Sequence, residues 1–376
     1  MTVAAPSTAE AMLGRMIDKL AEMIHPHEET LSALRRVPRH LFLPDVELDR
    51  VYGGNAIPTK YDEQGNPISS SSEVAIMALM LDALRLEQGQ RVLEIGAGTG
   101  YNAALLAELV GVDKVVTVEL DPEFADEARA HLRAAGYGTL RVETADGWLG
   151  SQSSAPYARI ELTAATSDIS PHWVEQLDEG GILVAPLLLR PNAQVMVALR
   201  KRGRTLESVS VFPGGFMTLR GMGATGDRTR EVGPWRFTSS RDLDDQRLLA
   251  LLQERPSLEL ADPLSWSDLA LLAIGDENSL SVSRKGSLAF ASGIVVDDCR
   301  GVAFVEWSGG VLAPRMLLVS YGTPEALKRL RSRLDEVRGR PWQGLRVVAV
   351  PTGDGRPEGD VVFARANYTI AVSTGR

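Results

Sequence analysis

A glycine-rich turn carries the strongest chemical signal in the sequence. Residues 92–95 (VLEI) are apolar enough for a buried strand, and the turn Gly96-Ala97-Gly98-Thr99-Gly100 follows directly. Glycine adopts backbone conformations that other residues avoid, and it leaves no Cβ between the chain and a ligand. A helix predicted over 101–110 begins after the turn, and its first N–H groups are unpaired. This combination predicts a binding site for a nucleoside cofactor.

Acidic residues near the ends of three successive predicted strands narrow the choice of cofactor. Glu94 lies on the first strand, Glu119-Leu120 closes the second, and Asp146-Gly147 follows the third. An ionised carboxylate only accepts hydrogen bonds, so Glu119 can hold two ribose hydroxyls and Asp146 can accept from an adenine amino group. The turn also departs from the G-x-G-x-x-G spacing of the dinucleotide fingerprint.

This layout favours S-adenosylmethionine over NAD. The alternative is that the three acids only cap strand ends of an α/β sheet. The predicted cofactor-binding residues are Glu94, Gly96, Gly98, Thr99, Gly100, Glu119, Leu120, Asp146 and Gly147.

Alternating strand and helix patterns must position these residues. Strands are predicted at 91–95, 115–119, 140–144, 159–163, 181–185 and 194–199, and helices at 101–110, 122–135 and 171–177. Such alternation is typical of a mostly parallel sheet with helices on both faces. The predicted fold class is therefore α/β, a Rossmann-like S-adenosylmethionine-dependent methyltransferase with a C-terminal α+β extension.

The remaining segments suggest a division of the chain into parts. Helical patterns occupy residues 10–36, and a serine run leads into a helix at 73–84. In the C-terminal part, helices are predicted at 241–254, 267–274 and 324–338, and strands at 287–296, 301–307, 315–320, 345–350 and 361–373. The predicted division is an N-terminal helical segment (1–36), a catalytic domain (37–220), a linker or ordered loop (221–240) and an α+β substrate-recognition domain (241–376).

Composition excludes several classes of protein. The 376 residues, 44% hydrophobic and 24% charged, are typical of a globular protein of two domains. A net charge of −9 argues against general nucleic-acid binding. The single cysteine, Cys299, excludes an intramolecular disulfide and a cysteine metal cluster, and His25-Pro26-His27 is better explained as solvated than as a metal site. Without an apolar span or a visible secretory leader, we expect a cytoplasmic protein that is not bound to a membrane.

The turn and its neighbours resemble the protein-L-isoaspartate O-methyltransferase family over about residues 37–220. The family landmarks occur in order along the chain. They are 37–44 (VPRHLFLP), 68–72 (ISSSS, at the position of the family's ISAPH loop), 94–101 (EIGAGTGY), 156–165 (PYARIELTAA) and 176–186 (QLDEGGILVAP).

The resemblance implies methyl transfer from S-adenosylmethionine to a carboxylate oxygen of Asp or isoaspartate in a peptide. The methyl ester can then close to a succinimide (aspartimide). A carboxylate is already ionised at neutral pH, so no general base is required. Ser69 matches the family's substrate-loop serine, and we predict that Ser69, Ser70 and Ser71 hold the carboxylate as the catalytic residues. The alternative is that these serines form a polar loop that caps the next helix.

Departures from the family pattern raise the question of the substrate. Ser71-Ser72 replace the Pro-His of the substrate loop, and Ala158 replaces the Asp of PYDRI. The roughly 150 residues after residue 220, called the C-terminal block below, are expected to be absent from the ordinary repair enzyme. Longer actinobacterial relatives are similar to methyltransferases of ribosomal-peptide pathways (graspetide, lanthipeptide or lasso peptides). We therefore favour an enzyme that tailors a macrocyclic precursor peptide carrying a reactive Asp.

Two other hypotheses remain. One is a general isoaspartate repair methyltransferase with an extra domain. The other is a non-enzymatic cofactor-binding module, which the three acidic positions argue against. Basic residues from Lys328 to Arg340 are either a solvated helix face or a dock for an acidic peptide.

Overall fold

The computed structural model describes residues 8–374 except 64, 66, 192, 225–227, 240, 285–289, 309–314 and 341–343. The helices are α1 (Thr8–Ile24), α2 (Glu28–Arg36), α3 (Leu48–Val51), α4 (Val74–Leu84), α5 (Tyr101–Val110), α6 (Pro122–Ala134), α7 (Pro171–Gln176), α8 (Asp245–Leu252), α9 (Trp266–Gly275) and α10 (Pro324–Val337). The strands are β1 (Ile57–Tyr61), β2 (Pro67–Ser71), β3 (Val92–Ile95), β4 (Val115–Glu119), β5 (Arg141–Thr144), β6 (Tyr157–Leu162), β7 (Leu177–Arg190), β8 (Ala193–Arg202), β9 (Thr205–Phe212), β10 (Arg228–Val232), β11 (Trp235–Ser239), β12 (Ser257–Ala261), β13 (Ser279–Arg284), β14 (Phe290–Val296), β15 (Gly301–Ser308), β16 (Arg315–Gly322), β17 (Leu345–Pro351), β18 (Val361–Ala364) and β19 (Tyr368–Thr374).

A ten-stranded sheet forms the framework of the candidate site. Its order is β18-β19-β17-β9-β8-β7-β6-β3-β4-β5. Strands β5, β4, β3, β6 and β7 are parallel, whereas every pairing from β7 to β18 is antiparallel. The predicted α/β fold is confirmed, but the expected mostly parallel sheet extends only to β7. Only two residues separate β7 from β8, which suits antiparallel pairing and leaves no room for a crossover helix.

A second sheet of seven antiparallel strands has the order β10-β11-β13-β14-β15-β16-β12. Residues 221–240, predicted as a linker or ordered loop, contribute strands β10 and β11 to its edge. Helices α9 and α10 share one apolar cluster with both sheets, which includes Leu199 of β8, Leu272 of α9, Ile294 of β14 and Leu330 of α10. The predicted strand 287–296 is present from residue 290, and its first three residues lie outside the described part of the chain.

The last three strands return to the first sheet. Strand β17 pairs with β9, and β19 pairs with β17. A buried carboxylate reinforces this return, because Asp168 accepts from the N–H of Asn367 at 2.8 Å, from its amide Nδ2 at 2.9 Å and from the N–H of Tyr368 at 3.1 Å. The predicted boundary at residue 241 thus does not separate the strands of the two sheets, and the division into domains stays a prediction.

Local sequence explains where the helices near the site begin. Asp121 accepts from the N–H of Glu123 at 3.0 Å, and Pro122 occupies the first turn of α6, where its missing N–H costs nothing. The helical pattern predicted over 10–36 is divided into α1 and α2 at His25-Pro26, where His25 has a φ of +48°. Within the described residues, no helix is both long and apolar enough to cross a membrane.

Candidate active site

The glycine turn lies between the end of β3 and the start of α5, as predicted. Gly96 has a φ of +102°, and a Cβ built there would lie 2.4 Å from Oγ1 of Thr163. Gly98 has a φ of +52°, and its N–H donates to Oε2 of Glu119 at 3.1 Å. Both conformations favour glycine. Further along, the carbonyl of Thr99 lies 3.1 Å from Nδ1 of His131, and Gly100 has a φ of +84°.

Glu119 closes β4 beside the turn. Besides the bond from Gly98, its Oε1 accepts from the N–H of Asp121 at 3.2 Å across Leu120. Each carboxylate oxygen has two lone pairs, so both oxygens retain capacity for a ligand hydroxyl. Arg220 approaches Glu119 at 3.9 Å and lies over the ring of Phe124, with its guanidinium carbon 5.4 Å from the ring centroid. The Glu119 carboxylate, predicted to accept from ribose hydroxyls, thus lies beside the turn.

Asp146 lies after β5, on the far side of Glu119 from β3. Its Oδ1 accepts from the N–H of Trp148 at 2.9 Å, and its Oδ2 accepts from the N–H of Met222 at 2.8 Å. Gly147 is packed against Ile95, where a Cβ would lie 2.4 Å from Cγ2. The segment that contains Met222 therefore covers this end of the candidate cofactor site, a contact that the sequence does not reveal.

Glu94 differs from the prediction. Its side chain has 0% exposure, and its two oxygens accept from Nδ2 of Asn102, at 2.8 Å, and from Oγ1 of Thr117. In register on the neighbouring strand, Glu161 is also fully buried and accepts from the same Asn102 amide at 2.8 Å. Glu94 is thus buried and bonded to Asn102 in the first turn of α5, so the geometry does not favour direct contact with a cofactor.

Burial dominates the ionisation of this carboxyl pair. It raises the pKa of Glu94 to about 8 and the pKa of Glu161 to about 7. The Asn102 amide provides one N–H to each carboxyl group, which favours the ionised forms only in part. At neutral pH the pair therefore retains protons that an exposed pair of glutamates would have released.

The three predicted catalytic serines have different surroundings on strand β2. Ser69 is 9% exposed, accepts from Oγ1 of Thr59 at 3.1 Å, and has its Oγ 4.0 Å from the Cβ position of Gly98. The carbonyl of Ser70 lies 3.7 Å from that same position. Ser71 is turned towards Arg39, whose Nη2 donates to its Oγ at 3.2 Å. The geometry therefore favours Ser69 for contact with a substrate carboxylate, whereas the hydroxyl of Ser71 is bonded to Arg39 within the protein.

Three neighbours of the candidate site were not anticipated from the sequence. Thr163 donates to the carbonyl of Gly96 at 2.6 Å, Arg220 borders Glu119, and Arg39 contacts the serine strand. Arg39 and Thr163 belong to quoted landmarks, VPRHLFLP and ELTAA, so the pattern located them without showing their contacts. Only the three-dimensional structure brings Arg220 to the turn.

The remaining candidates for chemistry are possible metal ligands, Cys299 and the basic residues of α10. The described residues contain no group of three or more His, Cys, Asp or Glu side chains that could hold a metal ion. Cys299 is buried. On α10 and just after it, most of the basic side chains form ion pairs, which are Lys328 with Glu325, Arg329 with Asp276, Arg331 with Glu259, Arg333 with Glu336 and Arg338 with Asp262. These pairs favour a helix face neutralised by the chain itself over a dock for an acidic peptide.

Sequence comparisons agree with this geometry. The family model for protein-L-isoaspartate(D-aspartate) O-methyltransferase (PCMT) matches residues 11–220. Protein-L-isoaspartate O-methyltransferase 2 of Archaeoglobus fulgidus is 40% identical over 174 residues, which are 46% of this chain and 77% of the relative. The protein of the same name, without the number, from Methanococcoides burtonii is 41% identical over 177 residues, 47% of this chain and 84% of the relative.

A solved structure with the name protein-L-isoaspartate O-methyltransferase is similar over nearly the whole chain. The TM-score is 0.55 with 21% sequence identity, and the match covers 97% of this chain and 100% of the other. At this identity the likeness concerns the fold alone. It includes the C-terminal block, which is thus shared in fold with one protein of that name. The expectation that the ordinary repair enzyme lacks this block agrees with the two relatives above, because 174 and 177 residues already make up 77% and 84% of their lengths.

Proposed function

Since the chain belongs to the protein-L-isoaspartate (D-aspartate) O-methyltransferase family, we propose that it esterifies the free carboxylate of isoaspartyl residues in proteins and peptides. It is a carboxyl O-methyltransferase, and its cofactor is S-adenosylmethionine. When bound, this cofactor supplies a methyl group activated on a sulfonium. The substrate class is our proposal, and it supports a role in the repair of isoaspartyl damage.

One observation carries the proposal, which is the contact between the serine strand and the glycine turn. The Cβ position of Gly98 lies 3.7 Å from the carbonyl of Ser70 and 4.0 Å from Oγ of Ser69. A side chain at position 98 would therefore project into the space between the predicted cofactor turn and the predicted acceptor strand. These distances are ordinary van der Waals contacts, so the turn and the strand, the two proposed partners of a methyl transfer, are adjacent.

The cofactor fits the residues around this space. Glu119 retains lone pairs suited to ribose hydroxyls, and Asp146 has an acceptor oxygen suited to an amino group. We propose that Gly96, Gly98, Thr99, Gly100, Leu120 and Gly147 form the backbone cradle between these two carboxylates. Glu94 is buried and bonds to Asn102, so we do not place it in this cradle.

The chemical work of the protein is alignment and exclusion of water. An isoaspartyl carboxylate has a pKa near 4 and is a nucleophile at neutral pH, so no side chain needs to remove a proton. We propose that the Ser69 hydroxyl donates to one carboxylate oxygen and leaves the other facing the turn. Thr59 orients that hydroxyl by donating to its oxygen, which leaves the Ser69 proton available for the substrate. Orientation of this kind is a major source of rate enhancement.

The repair hypothesis is better supported than the tailoring hypothesis that the sequence favoured. The relatives that match at 40% and 41% identity have protein-L-isoaspartate O-methyltransferase names, and the fold-level match extends over the C-terminal block. One protein of that name shares the extension in fold, so the extension does not by itself argue for a special precursor peptide. Tailoring of a macrocyclic peptide gains no support from these comparisons.

A competition between two peptides tests the proposal. The full chain is incubated with S-adenosylmethionine and with an isoaspartyl peptide, or with the same sequence containing ordinary aspartate. We expect base-labile methyl ester, measured as released methanol, on the isoaspartyl peptide only. Equal methylation of both peptides, or none of either, would contradict it. Ser69→Ala should weaken the reaction and leave S-adenosylmethionine binding intact, whereas Ser153→Ala, in the exposed turn after β5, is the matched control.

A further inference from the structure

Arg39 is a buried cation to which the reaction described above assigns no role. It lies in the short 3₁₀ turn that follows α2, and its side chain has no solvent exposure. Burial lowers the pKa of its guanidinium from the ordinary value, but arginine remains protonated in proteins. A permanent positive charge is therefore held inside the protein beside the serine strand.

Oxygens of neutral groups accept all the recorded hydrogen bonds of this guanidinium. Nη1 donates to the carbonyl of Val51 at 2.9 Å, and Nη2 donates to the carbonyls of Asn55 at 3.0 Å and Ser72 at 2.8 Å. Nε and Nη2 donate to Oγ of Ser71 at 3.3 and 3.2 Å. Among the residues that the structure describes, no carboxylate oxygen lies within 4.0 Å of Arg39. Its charge is thus solvated by dipoles and has no ion-pair partner there.

These bonds connect three segments around the acceptor site. They reach the end of α3, the residues just before β1, and the end of the serine strand β2. Ser71 and Ser69 are two positions apart on that strand, so their side chains project from the same face. Arg39 therefore holds the strand from which Ser69 faces Gly98.

We infer that Arg39 is a positioning residue for the acceptor carboxylate. It fixes the serine strand against the glycine turn, and its uncompensated charge makes the adjacent space favourable for an anion. The planar guanidinium reaches several acceptors in fixed directions, which the single ammonium of lysine cannot do. The inference rests on the proposed function for the identity of that anion, the isoaspartyl carboxylate.

Kinetics of three variants test the inference. Arg39→Met removes the hydrogen-bond donors and the charge, and Arg39→Lys keeps the charge but loses the planar set of guanidinium donors. Arg159→Met is the matched control, because Arg159 also donates to backbone carbonyls, those of Leu84, Arg85 and Ala158, but lies beside Val92 at the start of β3. We expect the KM for an isoaspartyl peptide to rise about tenfold or more in both Arg39 variants, as for loss of a charge-assisted contact. Affinity for S-adenosylmethionine and the KM of Arg159→Met should stay near wild type.

An unchanged KM in Arg39→Lys and in folded Arg39→Met would overturn the inference, as would a rise equal to that of Arg159→Met. A wild-type KM in Arg39→Lys would show that the planar set of guanidinium donors is not needed and would overturn the positioning role. Amide hydrogen exchange provides a measurement without substrate. Exchange over residues 67–72 should accelerate in both Arg39 variants and not in Arg159→Met. If the wild-type enzyme fails to methylate the isoaspartyl peptide, the proposed function fails. Unchanged amide exchange over residues 67–72 in the Arg39 variants would separately refute the role of Arg39 in holding the serine strand.

Discussion

The buried carboxyl pair beneath the glycine turn makes the stability of the protein depend on pH. The perturbation that isolates this effect is Glu161→Gln, which retains the size and polarity of the side chain and removes its ionisation. Glu161 is the better target of the pair, because Glu94 also accepts from Thr117 and its replacement would disturb a second bond.

The magnitude follows from the raised pKa. Burial raises the pKa of Glu161 from 4.5 to about 7. Between these pH values the folded protein keeps a proton that the unfolded chain releases, so the free energy of unfolding decreases as pH rises. This part of the stability is complete below pH 4.5 and is lost as pH rises through 7. A tenfold change in the ionisation equilibrium corresponds to about 1.4 kcal/mol, so Glu161 should account for roughly 3 kcal/mol across this window.

The assay is urea unfolding at several pH values between about 5 and 8, without cofactor. Glu161→Gln should lose roughly 3 kcal/mol less stability over that range than the wild type. The residual slope should reflect Glu94, whose pKa burial raises; the neighbouring Glu161 carboxylate raises it further, and that part is absent from the variant. Glu325→Gln, on the exposed face of α10, is the control and should retain the wild-type slope. If Glu161→Gln shows the wild-type slope, Glu161 does not hold a proton in the folded protein, and the reasoning fails.

Three further predictions concern the turn, the cofactor and the C-terminal strands. Gly96→Ala should destabilise the protein by more than about 2 kcal/mol, because an alanine there is strained at positive φ and collides with Thr163. Gly89→Ala is the control and should cost less, because Gly89 also has a positive φ but open space around it. Equal melting temperatures of the two variants would contradict this prediction. Glu119→Gln should weaken S-adenosylmethionine binding roughly tenfold in calorimetry, since a charge-assisted acceptor is lost, and unchanged affinity would exclude Glu119 as a ribose ligand. Asp168→Ala should lower the free energy of unfolding by roughly 3 kcal/mol, because it leaves buried N–H groups unpaired. Asp354→Ala, which removes an exposed ion pair with Arg204, should cost little. Similar losses in the two variants would refute the role given to Asp168.

The elements around the turn could be predicted closely because their signals are local. Helix α5 has the predicted bounds, and α6 ends one residue early, since the glycine turn and Asp121-Pro122 define their starts. Strand direction is not a local property, so the antiparallel pairing of β8 was missed. Strands β10 and β11 were also missed, because they are short and the tight turn that joins them reads as a loop.

The candidate site shows where sequence patterns lose information. The spacing of Glu119 and Asp146 correctly placed acids at the ends of two neighbouring strands. The same pattern could not show which face Glu94 occupies. Leu93 and Ile95 face the apolar cluster on one side of the sheet, so Glu94 must face the other side, which α5 covers. Ser69 and Ser71 likewise share a sequence motif, and only the contact with Arg39 distinguishes them.

The pairing of β9 with β17 has a consequence for how the chain is made. A ribosome releases β9 more than a hundred residues before β17, so the growing chain carries an open sheet edge while the whole seven-stranded sheet is synthesised. Unpaired edges invite association with other chains. Chains terminated at residue 220 retain every residue proposed here to contact the cofactor, yet they would keep that edge permanently exposed. We therefore expect a low yield of these shortened chains in the soluble fraction, caused by association at the open edge of β9 and not by loss of the cofactor site.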